Sequence, residues 1–168
     1  MTVHVLEREQ VVRAPLDRVF AFFSEARNLE RITPPWLRFE VLAPEPVQMR
    51  VGTTIGYRLR LHGAPLRWLT LIESWEPGVM FADRQLHGPY RLWHHTHAFA
   101  AHPDGTLVRD RVRYELPLGR LGAIAHRAFV ARDLTRVFDY RRRAVTRELE
   151  PAQNLTTFST ASASSASR

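Results

Sequence analysis

The chain has 168 residues, 45% of them hydrophobic, which suits a single globular domain whose core is large enough to enclose a small cavity. It has no cysteine, so disulfides, thiolate catalysis, iron–sulfur clusters and cysteine-based zinc sites are excluded. The formal net charge of +7 would favour nucleic acid or an anionic membrane as a partner. However, all 24 basic residues are arginine, and many alternate with apolar residues on predicted strands. We therefore expect a solvated sheet face and no nucleic-acid binding.

The N-terminal part of the chain predicts a strand followed by two short helices. Residues 3–13 alternate between two faces, as a strand does, and Pro15 then stands at a position that suits the start of a helix. The segment has no apolar stretch typical of a signal peptide, so we expect a cytoplasmic protein. The helices are predicted from apolar side chains at helical spacing: Val19, Phe20 and Phe23 in the first, and Leu29 and Ile32 in the second.

Six further strand-like segments follow, separated by turns that contain proline or glycine. Such regular spacing predicts an antiparallel meander. No apolar run approaches the roughly 18 residues of a membrane span, so we expect no stable membrane insertion. The predicted strands are residues 36–43, 53–62, 65–76, 79–87, 90–101 and 106–116.

The period changes to that of a helix after Pro117 and Gly119, and this helix is predicted to run almost to Glu150. Residues 151–168 are mostly alanine, serine and threonine with little to bury, which predicts a disordered tail after a domain of residues 1–150. The apolar stripe of the helix is Leu121, Ile124, Ala128, Phe129, Val137, Phe138, Val145 and Leu149.

One predicted strand carries two histidines on an apolar face. Alternate residues of an extended chain point the same way, which puts His95 and His97 on one face and His94 on the other. Two aromatic residues, Trp93 and Phe99, share the face of His95 and His97. This combination is typical of the wall of a pocket.

The next predicted strand supplies an acid to the same face, because Asp110 is its only carboxylate among apolar neighbours. The turn chemistry of residues 102–106 favours a three-residue hairpin, which would shift the register by one. Such a slip would expose apolar side chains, so we expect the register that joins the apolar faces, with a bulge or a four-residue loop at the turn. That register gives three cross-strand pairs: His97 with Asp110, His95 with Val112, and Trp93 with Tyr114.

Two stretches of sequence are recognisable beyond their periodicity. The first is Arg13-Ala14-Pro15, with Val19-Phe20 and then Asn28-Leu29-x-x-Ile32-Thr33-Pro34-Pro35. The second is Phe81-x-Asp83-x-Gln85-x-x-Gly88-Pro89-Tyr90-x-x-Trp93-x-His95-x-His97-x-Phe99, followed by Asp110-x-Val112-x-Tyr114-x-x-Pro117-x-Gly119 and by Phe138-x-Tyr140-Arg141.

With these motifs the chain resembles the SRPBCC superfamily, which includes START domains, pollen-allergen-like proteins and polyketide cyclases. The second stretch is similar to small bacterial proteins described as ligand-binding SRPBCC or cyclase/dehydrase-like. The resemblance covers about residues 3–150 and implies an α+β helix-grip fold. In that fold a seven-stranded antiparallel sheet wraps around a long C-terminal helix, two short helices join strands 1 and 2, and a cavity lies between the sheet and the long helix.

The leading hypothesis is a protein that binds a small hydrophobic or aromatic ligand in this cavity. A mostly apolar wall with a few polar groups is typical of small-molecule sites. Arg141 is expected near the rim, where it would pair with Asp83 or with an anionic ligand group. The predicted lining residues are Tyr57, Leu59, Trp68, Thr70, Asp83, Gln85, Trp93, His95, His97, Phe99, Asp110, Tyr114 and Phe138.

Other interpretations of the polar residues stay open. In one interpretation the polar side chains form a buried network that tethers the strands. In another, His97, Asp110 and His95 transfer protons in a polyketide cyclase/dehydrase-like enzyme. A lipid or quinone carrier is a third possibility. A two-histidine, one-carboxylate metal site with Asp83 or Asp110 lacks an assured third ligand, so we expect no metal. No cofactor is expected either, because no glycine-rich phosphate loop is present. The sequence does not indicate an oligomeric state.

Overall fold

The computed structural model describes residues 2–43, 47–117 and 129–150, and within them a single antiparallel sheet of seven strands forms the framework. The strand order is β1-β7-β6-β5-β4-β3-β2, so β2 to β7 form a meander and β1 pairs with the last strand. The strands are β1 (His4–Val12), β2 (Glu40–Val41), β3 (Thr54–Leu61), β4 (Ala64–Glu76), β5 (Met80–His87), β6 (Leu92–His102) and β7 (Gly105–Glu115).

Helices cover one face of this sheet. Helix α1 (Leu16–Ser24) begins directly after Pro15, as predicted, and buries the three apolar residues that share its inner face. Helix α2 (Asn28–Ile32) follows, and the long helix α3 (Ala131–Leu149) closes the described part of the chain. The predicted α+β helix-grip fold is confirmed.

The predicted strand over residues 36–43 is wrong for most of its length. Pro35–Leu37 form a 3-10 helix, and Arg38 follows with a left-handed backbone at a φ of 43°. Neither conformation continues an extended chain, so only Glu40–Val41 pairs with β3. The alternation of apolar residues predicted a strand here, but proline at the start of the segment fixes φ in a turn conformation.

The hairpin between β6 and β7 has the predicted register. His97 pairs with Asp110, and the register continues without a shift to His102 and Gly105. The expected bulge or four-residue loop is wrong, because a two-residue loop, Pro103-Asp104, connects the strands. Gly105, at a φ of 138°, adopts a backbone conformation that other residues rarely reach and so permits the short connection.

Replacing Gly105 by alanine should lower the free energy of unfolding by about 2 kcal/mol or more, through backbone strain and a steric clash. A Cβ atom at this position would lie 2.2 Å from the carbonyl oxygen of Val12. Gly78→Ala is the matched control, because Gly78 also has a positive φ, of 77°, but an added Cβ would meet nothing within 4 Å. Urea unfolding should show a loss for Gly78→Ala of only about 1 kcal/mol. Equal losses in the two variants would contradict this account.

The apolar stripe of the C-terminal helix is only partly as predicted. Phe138, Val145 and Leu149 are buried, whereas Phe129 is 63% exposed and does not belong to the stripe. Helix α3 begins at Ala131, two residues after Phe129. The predicted members Leu121, Ile124 and Ala128 lie outside the described residues, as does the predicted tail over 151–168.

The arginines of the strands lie on the outer face of the sheet, as their alternation predicted. Two irregularities in the pairing of β4 with β5 interrupt the regular register, and such bulges bend a strand. The side chain of Gln10 ties β1 to α3 by donating to the carbonyl oxygen of Arg142 at 3.0 Å. The exposed arginines on the outer face are Arg58, Arg60, Arg109, Arg111 and Arg113.

Candidate ligand-binding site

A cavity of about 200 Å³ lies between the inner face of the sheet and helix α3. Most of its wall is apolar, and its polar side chains come from β4, β5 and β6, from α3 and from Thr33 after α2. The described residues that line it are Leu29, Thr33, Leu37 and Phe39; Tyr57, Leu59 and Leu61; Leu66, Trp68 and Thr70; Asp83, Pro89, Tyr90, Trp93, His95 and His97; and Asp133, Leu134, Val137, Phe138 and Arg141.

The structure brings most of the predicted lining residues to this wall. Alternation along β3 to β6 indicated them, and the long helix supplies one more from its inner face. These residues are Tyr57, Leu59, Trp68, Thr70, Asp83, Trp93, His95, His97 and Phe138.

Gln85 is predicted at the wall, but its side chain, near the end of β5, folds onto the turn between β5 and β6. Its side-chain nitrogen donates to the carbonyl oxygen of Tyr90 at 2.6 Å. The side chain is therefore used to hold the chain around Gly88 and does not line the cavity. Strand alternation gives a residue's face, but it does not show that a side chain near the strand end folds back onto a turn.

Phe99 and Tyr114 are also predicted at the wall, and both belong to the packed core. The ring of Phe99 is 5.3 Å from that of Phe20 and 5.3 Å from that of Phe23, which places it beneath helix α1. Tyr114 packs in a separate cluster with Leu134. Both point to the inner face as predicted, but the helices cover that part of the sheet.

Asp110 lies behind the wall. Its carboxylate borders a small adjoining pocket with Arg141 and Phe138, and it reaches the main cavity only through the two histidines in front of it. Asp110 is therefore not among the residues that line the main cavity, whereas its predicted pairing with His97 is confirmed.

The sequence did not predict the part of the cavity wall that comes from the segment between α1 and β2. Leu29 was predicted in a helix and Phe39 in a strand, but nothing in the sequence indicated that either residue lines the cavity. Tyr90 lies in the recognised Gly88-Pro89-Tyr90 motif, so the motif was the available signal. The missed lining residues are Leu29, Thr33, Leu37, Phe39, Leu66, Pro89, Tyr90, Asp133, Leu134 and Val137.

Two histidines and two carboxylates form a compact cluster at the base of the cavity. Nε2 of His95 donates to Oδ1 of Asp110 at 3.0 Å. Nδ1 of His97 lies 2.7 Å from the same oxygen, but the N–H is not aligned with it, so this contact is an ion pair without a well-formed hydrogen bond. On the cavity side, Oδ2 of Asp83 is 3.6 Å from Nε2 of His97 and 3.9 Å from Nδ1 of His95.

Burial and mutual charge separate the pKa values in this cluster. Burial, followed by the neighbouring charge of His97, lowers the pKa of His95 to about 4. Burial also lowers the pKa of His97, but contacts with the carboxylates of Asp110 and Asp83 outweigh it and raise this pKa above its ordinary value. Burial raises the pKa of Asp110, but the charge of His97 and the close contacts of both histidines bring it well below the usual range. Of the two imidazoles, His97 is therefore the one that accepts a proton more readily, and Asp110 is placed to balance the resulting charge.

Arg141 lies on the same wall, as predicted. Its guanidinium carbon is 5.7 Å from the ring centroid of Phe23 and 5.9 Å from that of Phe138, distances typical of cation–π contacts. The predicted pairing with Asp83 is not found: in the described chain, no carboxylate oxygen lies within 4.0 Å of this guanidinium. Its Nε atom is buried without a hydrogen-bond acceptor in the same part of the chain.

The aromatic part of the wall is held by contacts among its own side chains. Trp68 and Trp93 meet edge to face with ring centroids 5.1 Å apart, and Tyr90 lies 4.8 Å from Trp93. The indole nitrogen of Trp68 donates to Oγ1 of Thr70 at 3.1 Å, so its polar atom is satisfied within the wall. These rings therefore present apolar surface to the cavity.

A side-chain contact links a turn of the sheet to helix α3 beside the cavity. Nε2 of His62, in the turn between β3 and β4, lies 2.7 Å from Oδ2 of Asp133 near the start of α3.

His94 faces the other side of the sheet, as predicted, and pairs with Glu73 at 3.1 Å. The outward histidine therefore takes no part in the cluster.

The arrangement can orient an apolar ligand by a hydrogen bond, hold a proton on the inner imidazoles, or coordinate a cation between Asp83 and the histidines. The helix-grip framework and the cavity define the class, a pocket between an antiparallel sheet and a long helix. A family model described as polyketide cyclase/dehydrase and lipid transport matches residues 12–139, and the chain belongs to this family. In the described residues, no helix is long and apolar enough to cross a membrane.

Solved structures with the same fold come from bacteria and plants. The Zhui aromatase/cyclase from a Streptomyces species is 18% identical with a TM-score of 0.69, over 88% of this chain and 93% of that one. A protein from Chromobacterium violaceum is 16% identical with a TM-score of 0.69, over 88% and 99% of the two chains. Ginseng major latex-like protein 151 is 11% identical with a TM-score of 0.67, over 90% and 100%. No curated protein sequence matches the chain at a significant level.

Proposed function

We propose that this protein binds one small aromatic or apolar molecule, about the size of one or two rings, between the sheet and helix α3. The observation that carries this proposal is the cavity of about 200 Å³ with a mostly apolar wall. An apolar cavity of about 150 Å³ in another protein is large enough to hold benzene. The volume therefore suits a ring system, and it is small for a lipid with a long acyl chain.

The polar residues of the wall give the ligand a defined orientation. Thr70, His95 and His97 are almost fully buried, so a ligand group that meets them is shielded from water. In such a setting a hydroxyl or carbonyl oxygen on the ligand contributes more than it would at the surface. A phenol-like molecule, with apolar rings and one oxygen, matches both parts of the wall.

The relatives are consistent with this proposal. The family description includes cyclases, dehydrases and lipid transport proteins, and one structural neighbour is an aromatase/cyclase. Binding a ring system in the cavity is the step that a carrier and a cyclase would share. A proton-transfer reaction would further require the ligand to reach the imidazoles of His95 and His97, which line the wall.

Calorimetric titration with 2-naphthol tests the proposal. We expect 2-naphthol to bind about fivefold more tightly than naphthalene, because one well-placed hydrogen bond contributes about 1 kcal/mol. Leu59→Trp should abolish binding of both, since Leu59 is buried on the cavity wall and a larger side chain would fill the space. Leu69→Trp is the matched control: Leu69 is 36% exposed and does not line the cavity.

The proposal fails if folded protein takes up neither compound. It also fails if Leu59→Trp, shown by circular dichroism to be folded, still binds both as the unmodified protein does. Binding that weakens equally in Leu69→Trp would place the ligand elsewhere.

A further inference from the structure

We infer that Asp83, His95 and His97 form a binding site for one divalent transition-metal ion at the base of the cavity. One donor atom from each of these residues lies within 4.8 Å of the other two. Two imidazoles and one carboxylate, with the remaining positions open, are a donor set that such ions favour. The inference goes beyond the proposed function, because an ion can bind here without the aromatic ligand.

The strand geometry brings the three donors together. His95 and His97 are two residues apart on β6 and therefore point the same way. Asp83 is paired directly with His95 across the β5–β6 ladder. The sequence left the third ligand open, and this cross-strand pairing supplies it.

Asp110 lies behind both imidazoles and leaves one ring nitrogen of each directed toward Asp83. Asp110 contacts Nε2 of His95 at 3.0 Å and Nδ1 of His97 at 2.7 Å. The ring nitrogens that remain, Nδ1 of His95 and Nε2 of His97, both face Asp83. A carboxylate behind a ligating histidine, fixing the ring and its tautomer, is the usual outer-shell arrangement of protein metal sites.

The distances leave room for an ion. The two inner nitrogens lie 3.9 and 3.6 Å from Oδ2 of Asp83, which is too long for a hydrogen bond. An ion with bonds of about 2.0–2.2 Å sets its ligand atoms roughly 3–3.5 Å apart. A small inward movement of the side chains would therefore complete the coordination.

The charges and the surroundings also suit a dication. Asp83 and Asp110 together provide two carboxylates within reach of one ion and its ligands. Because Asp83, His95 and His97 all line the main cavity, the open coordination positions face the space that an organic ligand would occupy. Cysteine is absent from the chain, so no thiolate donor is available.

Titration of the metal-free, tag-free protein with Co²⁺ tests the inference, followed by displacement with Zn²⁺. We expect visible ligand-field bands that saturate at one ion per chain and disappear on addition of one equivalent of Zn²⁺. The measurement needs no variant, so it does not depend on the folding of altered proteins.

Variants locate the ion. Asp83→Asn preserves the shape of the side chain and should weaken Zn²⁺ binding by more than the roughly 10–100-fold that loss of an outer-shell partner costs. His94→Gln is the control on the same strand, because His94 pairs with Glu73 on the outer face. It should bind Zn²⁺ as the unmodified protein does. Leu59→Trp should lose 2-naphthol and keep Zn²⁺, so the failure of one proposal is distinguishable from the failure of the other.

Absence of saturable Co²⁺ bands in folded protein overturns the inference. So does Zn²⁺ binding that is unchanged in Asp83→Asn, or that is lost in His94→Gln, since either result would place the ion on surface histidines.

Discussion

Replacing Asp110 by alanine should lower the free energy of unfolding by about 3 kcal/mol, because it removes a buried carboxylate that contacts two buried imidazoles and accepts a hydrogen bond from one of them. Asp110 contacts both His95 and His97, and its side chain is only 13% exposed. A protonated imidazole at His97 would then have only the more distant carboxylate of Asp83, 3.6 Å away, to balance its charge. Urea unfolding at neutral pH measures the loss.

The control for this variant is an exposed ion pair on the same sheet. Glu9 pairs with Arg109 at 2.6 Å, but the two side chains are 62% and 55% exposed. Glu9→Ala should therefore lower the free energy of unfolding by less than about 1 kcal/mol. If Asp110→Ala cost no more than Glu9→Ala, the polar cluster would not be the structural centre of the site.

Replacing Phe99 by alanine should lower the free energy of unfolding by about 3–5 kcal/mol and leave the affinity for 2-naphthol unchanged. The ring is 5% exposed and packs against Phe20, Phe23 and Phe81 at the base of α1. It does not line the cavity, so its loss opens space in the core and not in the ligand site. Urea unfolding and calorimetric titration of the same sample measure the two effects.

Phe129→Ala is the matched aromatic control, because Phe129 is 63% exposed. It should change the free energy of unfolding by no more than about 0.5 kcal/mol. A loss of 2-naphthol binding in folded Phe99→Ala would mean that the cavity extends beneath α1, contrary to the packing described.

The alternation of apolar and polar residues was sufficient to predict the sheet and the pairing of β6 with β7. A one-residue slip between β6 and β7 would have exposed either Trp93 or Tyr114, so burial alone determined that His97 faces Asp110. The same reasoning placed His94 outside the cluster. Periodicity therefore predicted which face each residue occupies, including residues whose chemistry is polar.

Alternation did not predict what covers each part of that face. Phe99 and Trp93 share one side of β6, yet α1 packs over Phe99 while Trp93 lines the cavity. The difference depends on where the helices dock, which is a tertiary property. The second contact of Asp110, with His95, was missed for a related reason: a carboxylate on one strand reaches diagonally to a second side chain on its neighbour.

The turn between β6 and β7 also depends on a tertiary contact. Residues 102–106 were compatible with loops of several lengths. The register required an even number of loop residues but did not determine that number. The two-residue loop depends on the backbone of Gly105, which packs against Val12 at the end of β1. That contact is long-range in sequence, so local turn chemistry could not indicate it.

A crystal structure of the protein with 2-naphthol is the most direct test of the central claim, that the space between the sheet and α3 is a ligand site. We predict density for one naphthol molecule between Trp68, Trp93 and Phe138, with its oxygen directed toward Asp83 and the histidines. Side chains that fill this space with no room for the rings, or a naphthol bound only at the outer surface, would contradict the account.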